Sequence, residues 1–163
     1  MRILAIDPGT EKSGFVLFDS NTKSIIESGI VENEELLHRS TWSDADFLAI
    51  EMVNSFGQAV GRTTFETVLW IGRFIQYGVS NGIKYEKLYK KVDINTTLCF
   101  SNKVKDSNIR QAILDMFEPT GGGKTPQIGT KAQPGPLYGV SSHAISALAV
   151  ALTYCLKNKL IER

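Results

Sequence analysis

The sequence predicts an α/β fold: a mixed central sheet, antiparallel in its first three strands and parallel afterwards, flanked by helices. Three stretches carry that reading. Residues 2–18 hold two apolar, β-branched runs separated by Pro8-Gly9 and resumed after Gly14, which reads as two strands joined by a tight turn. Residues 46–53 (Asp-Phe-Leu-Ala-Ile-Glu-Met-Val) form an almost continuous apolar run, the pattern of a strand buried on both faces. Residues 141–156 form a serine-led, alanine-rich helix whose small side chains allow close approach to a sheet.

The whole chain sets bounds on the function. At 163 residues it suits one domain, 1–163, large enough to bury a core. With 42% hydrophobic residues and a net charge of +1, any nucleic-acid contact must come from local basic patches. Cys99 and Cys155 lack metal-binding spacing, so both read as reduced packing residues and no zinc is implied. No apolar stretch reaches the roughly 18 residues of a membrane span, and residue 1 leads straight into a strand without a signal-peptide layout. A cytoplasmic protein is expected.

In chain order, Asp7 ends the first strand. Beside glycines it either caps the Pro-Gly turn or opens a site for phosphate or metal. Residues 23–31 continue as a third strand and complete a meander, and 32–40 read as a short helix or loop. The one charge buried within the fourth strand is Glu51. An unpaired carboxylate there costs several kcal/mol by desolvation, so a cation, a metal or a retained proton is expected beside it. Residues 54–62 form a polar loop around Phe56, which either stacks against DNA or folds back on the core.

Residues 63–79 read as a helix with apolar residues beyond one stripe, among them Phe65, Val68, Leu69 and Trp70. That excess points to a homodimer contact or to an internal helix. Glu66 reads as solvated or paired with Arg62 or Arg73. Residues 88–94 are expected as a strand within a lysine cluster (Lys84, Lys87, Lys90, Lys91). Residues 103–117 are expected as an amphipathic helix led by Lys103, Lys105 and Arg110, whose amides and cations suit a DNA phosphate. Residues 118–139 read as a long flexible basic loop carrying Lys124 and Lys131. Its Gly121-Gly122-Gly123-Lys124-Thr125 is no phosphate loop, because Glu118 stands where the first glycine belongs and Pro126 where the helix should begin. In the last helix, His143 and Ser146 are three apart and share a face, and beside two strand-borne carboxylates a ligand or proton-transfer role for His143 is expected.

The order of these segments resembles the RuvC-like Holliday junction resolvases of the RNase H-like fold. It rests on Ile6-Asp7-Pro8-Gly9-Thr10, Ala49-Ile50-Glu51, the Gly57–Arg62 helix start and the ending from His143 through Ser146 to Ala151. The short spacing before Glu51 and residues 133–140 look more like bacteriophage members. The resemblance implies a homodimeric, Mg²⁺-dependent endonuclease that nicks branched DNA, with catalytic residues Asp7, Glu51, His143 and Ser146. Asp7, Glu51 and His143 would be the metal ligands. DNA contacts are expected from Phe56, Arg62, Lys103, Lys105, Arg110, Lys124 and Lys131, and the dimer from helix 63–79.

Two departures qualify the implied site. Ser146 stands where the family usually has Asp, so a second metal should bind more weakly. His143 stands where many members have Asp, a softer ligand that suits Mn²⁺ at least as well as Mg²⁺. One alternative is a junction-binding protein with little or no catalysis. Another is a phosphate-loop ATPase-like domain, suggested by Asp7–Thr10 and Ser13-Gly14, but the chain lacks the length for two domains and a second Asp-x-Gly loop.

Overall fold

The structure is a computed structural model that describes residues 1–55 and 57–163. Strands β1 (Arg2–Asp7), β2 (Lys12–Asp19) and β3 (Ser24–Glu32) form the expected antiparallel meander. Strands β4 (Phe47–Met52) and β5 (Lys84–Tyr89) join β1 in parallel on its other side, giving the order β3-β2-β1-β4-β5. The central strand β1 is covered on both faces, which its unbroken Ile3-Leu4-Ala5-Ile6 run requires.

The two-residue period of the strands sorts the core into two layers. Ile3, Ala5, Val16, Phe18, Ala49 and Leu88 pack beneath α4 (Asp106–Leu114) and α5 (His143–Lys157). Leu4, Ile6, Phe15, Leu17, Leu48 and Ile50 pack beneath α1 (Asn33–Leu37), Trp42 and α2 (Arg62–Ser80). Helix α2 buries Thr67, Ile71, Phe74 and Gly78 along one stripe. Its other side leaves Phe65 at 63% and Leu69 at 65% exposed, so it is not an internal helix. Among the described residues no helix is long and apolar enough to cross a membrane.

Four local expectations are corrected. The fifth strand starts four residues and ends five residues earlier than predicted, at Lys84–Tyr89, and residues 90–94 turn through a π-helical turn into α3 (Asn95–Cys99). The parallel ladder stops where Met52 pairs with Tyr89, and the Asp93 carboxylate accepts the Tyr89 N–H at 2.8 Å, which folds the chain back. Helix α4 begins at Asp106, so Lys103 and Lys105 precede it; Asn108 Oδ1 accepts the Lys105 N–H at 3.1 Å and fixes the start. Ser142 precedes α5 but makes no side-chain cap bond and stands at φ +50°.

The fourth correction concerns residues 118–139, which hold a hydrogen-bonded structure of their own. The Gly121 N–H donates to Pro126 O, Gly122 to Gln133 O, Gly135 to Ile128 O and Leu137 to Gln127 O. A Cβ on Gly129 (φ +76°) would meet Gly135 N at 2.3 Å, so backbone packs directly on backbone. Such packing leaves no apolar period to read, although Leu137 and Val140 anchor the segment in the core.

Candidate active site

Ile6 pairs with Ile50 across the parallel β1–β4 ladder. Asp7 and Glu51 each follow by one residue, so they leave the carboxyl ends of neighbouring strands side by side. Both keep the parity of Ala5 and Ala49, which face α5. The carboxyl edge of parallel strands is where open α/β sheets gather ligands.

Helix α5 brings the third group. Gly14 pairs with Asp7 across the β1–β2 ladder, and a Cβ on Gly14 would lie 2.2 Å from the His143 carbonyl oxygen. Only glycine lets the start of α5 settle on the sheet there. His143 Nδ1 then lies 2.8 Å from Asp7 Oδ2, and Ser146, one turn on in α5, lines the same cleft as His143 and helps to lower the Asp7 carboxyl. The remaining wall comes from Lys90, immediately after β5, and from α4: Lys90 Nζ pairs with Asp106 Oδ1 at 2.9 Å. Glu51, Lys90, Asp106, Arg110, His143 and Ser146 line one cleft of about 370 Å³, a size suited to a nucleotide-scale group.

The cleft concentrates negative charge. Burial, then the neighbouring Asp7 charge, pushes the Glu51 carboxyl up to about 7, with Asp106 adding to the shift and Lys90 and His143 opposing it. Burial also raises Asp7, against the pull of the His143 hydrogen bond and charge, Lys90 and Ser146. Burial works against the Lys90 ammonium, but Asp106, Glu51 and Asp7 outweigh it and raise Lys90, keeping it a cation. Asp7 and Glu51 are therefore neighbouring strand-end carboxylates, and the Lys90 ammonium, held by Asp106, lowers both.

Of the predicted site residues, Asp7, Glu51, His143, Ser146 and Arg110 come together. Arg62 lies apart at the start of α2, paired with Glu66 at 2.6 Å. Lys103 and Lys105 line a neighbouring cleft with Lys90 and Lys91. Lys124 and Lys131 are exposed on the long loop, and Phe56 lies outside the described residues. Sequence reasoning missed the roles of Lys90 and Asp106. Lys90 was one lysine among four, and Asp106 looked like an interior residue of a longer helix.

Among the described residues, no three or more His, Cys, Asp or Glu side chains are placed to hold a metal ion as they stand. His143 occupies one Asp7 oxygen and Lys90 one Asp106 oxygen. In chemical kind the Asp7 and Glu51 oxygens do fit a hard divalent cation. The excess of buried negative charge is what such a cation relieves.

No family model and no curated protein sequence matches the chain. The mixed five-stranded sheet flanked by helices is an α/β fold of the RNase H-like type. Within it the fold is RuvC-like: Thermus thermophilus RuvC superposes with a TM-score of 0.70 at 15% identity, covering 98% of this chain and 96% of that one. T. thermophilus RuvC in complex with Holliday junction substrate gives 0.70 at 14% identity over the same shares. The Fowlpox virus resolvase, in a complex with substrate Holliday junction DNA, gives 0.56 at 14% identity over 99% of this chain and 100% of that one. At these identities the likeness establishes the fold.

Proposed function

We propose that this chain is a structure-selective endonuclease that cuts branched DNA, such as a four-way junction, with a divalent cation. The observation that carries the reading is the convergence of three groups from β1, β4 and α5 on a RuvC-like fold: Glu51 and His143 line one cleft, and Asp7 lies against them, hydrogen-bonded to His143 and raising the Glu51 carboxyl by its charge. Asp7 and Glu51 would hold Mg²⁺ or Mn²⁺ with their free oxygens, and His143 would join them once its ring turns from Asp7. When bound, the cation supplies charge stabilisation at a phosphate and a more acidic water. The other groups are the chain's own. Lys90, aimed by Asp106, sets a fixed ammonium against a phosphate oxygen, and Arg110 offers a second cation from α4. Glu51, which holds a proton near neutrality, suits proton transfer before the site is loaded.

The exposed Phe65, Val68 and Leu69 of α2 support a homodimer through that helix, which would set two clefts on the two strands of a symmetric junction. A second reading, junction binding without cleavage, draws on the Asp7–His143 bond and on the uncharged Ser146. Nicking of an end-labelled four-way junction in Mg²⁺ and in Mn²⁺, with Asp7→Asn as control, separates the two. We expect cleavage by the wild type that Asp7→Asn reduces at least 100-fold, on the order seen for loss of a catalytic group. Binding with no cleavage in either metal favours the second reading, and neither binding nor cleavage overturns both.

A further inference from the structure

Phe100 presents its aromatic ring to solvent, 80% exposed, at the end of α3. Its backbone is left-handed, φ +56°, a conformation that a bulky side chain adopts only at a cost of order 1 kcal/mol. One face of the ring is taken: the Arg163 guanidinium carbon sits 4.3 Å from the ring centroid. Arg163 Nη2 in turn donates to Leu98 O at 2.7 Å and to Thr97 O, so the guanidinium is fixed to the end of α3. The result is an aromatic plate backed by a cation, with its other face open.

Its surroundings name a partner. The candidate active cleft shares Lys90 with a second cleft lined by Lys90, Lys91, Lys103 and Lys105. That cleft shares Lys103 and Val104 with a third, whose wall carries Phe100 and Arg163. Three adjoining clefts thus lead from Glu51, past four lysines, to the plate; among the described residues Asp115 is the one carboxylate lining the last of them. Lysines along such a row of clefts, ending in an aromatic plate, match a nucleic-acid strand: charge tracks the backbone, and the ring takes the face of an unstacked base.

We propose that Phe100, backed by Arg163, is a stacking platform for an unpaired base of the DNA strand that leaves the active cleft along Lys90, Lys91, Lys103 and Lys105. The inference rests on the reading of the chain as a branched-DNA endonuclease. It assigns Phe100 a binding role in substrate selection, favouring branches with unpaired bases over continuous duplex.

The test compares Phe100→Ala and Phe100→Trp with wild type by fluorescence anisotropy on three DNAs: a four-way junction with a short unpaired segment at its centre, a single strand, and a duplex. An exposed side chain leaves folding intact, checked by an unchanged Tm. Phe100→Ala should weaken binding to the single strand and gapped junction roughly tenfold, the worth of one stacked base, while leaving duplex binding within twofold. Phe100→Trp should restore it. Equal affinity of wild type and Phe100→Ala for all three DNAs overturns the platform while leaving the endonuclease reading standing. An equal loss on duplex also overturns it, since stacking requires an unpaired base. Failure of the wild type to bind any of the three DNAs overturns both.

Discussion

Glu51 is the residue most at odds with its surroundings. Its unfolded carboxyl titrates near the ordinary glutamate value of 4.5, whereas burial beside Asp7 holds it at about 7 in the fold. Below the lower value both states are protonated and Glu51 costs nothing. As pH rises from 4.5 to 7 the unfolded chain gives up its proton first, so stability falls through that window and stays lowered above it. The penalty at pH 8 is on the order of 3 kcal/mol. In EDTA, Glu51→Gln should therefore raise the Tm at pH 8 by roughly 6–12 °C and leave it unchanged below about pH 4.5. Melting curves across this range check it, and equal Tm values at pH 8 would show that Glu51 is not under charge stress. The strain was legible in the sequence, because an acid inside Ala49-Ile50-Glu51-Met52 has nowhere to go but a covered strand end. The groups that modulate it were not: Lys90 and Asp106 come from a turn and a helix start whose positions depend on where β5 ends.

Helix α2 carries the clearest unspent surface among the elements. A sheet needs one stripe, and Thr67, Ile71, Phe74 and Gly78 supply it, yet Phe65 and Leu69 remain mostly exposed. Leu69→Glu should leave the monomer fold intact, since the side chain is 65% exposed, and shift a dimer toward monomer by at least tenfold in dissociation constant. Analytical ultracentrifugation reads this directly, and a wild type monomeric at micromolar concentration would refute the α2 dimer. The excess was visible from sequence as apolar residues on more than one stripe. Whether a neighbouring element of the same chain covered them was not, because coverage depends on packing. The elements that sequence misplaced share a cause: α3, the start of α4 and residues 118–139 are set by side chain–backbone and backbone–backbone hydrogen bonds, such as Tyr89 N–H to the Asp93 carboxylate and Gly121 N–H to Pro126 O, which carry no hydrophobic period.

Across the whole molecule, the site assembles only when both sheet layers and α5 are in place, so cation binding and folding should be linked. At about ten times its Kd, Mg²⁺ should stabilise the wild type by ~1.4 kcal/mol at pH 8, where Glu51 is ionised, and by less at pH 5. Asp7→Asn should abolish the gain. Thermal melts with and without Mg²⁺ decide it, and an unmoved wild-type Tm at pH 8 would remove the cation from the proposal. By itself, the sequence determined the mixed sheet, the two strand-end carboxylates and the helix that meets them, because hydrophobic periodicity and the cost of a buried charge act within short stretches. Tertiary structure decided the rest. Gly14 admits α5 so that His143 reaches Asp7, the early end of β5 delivers Lys90 to Asp106, and three clefts that share lining residues lie in a row from Glu51 to Phe100. Each of these is a contact between residues far apart in the chain, fixed by how whole elements pack, and no local pattern encodes it.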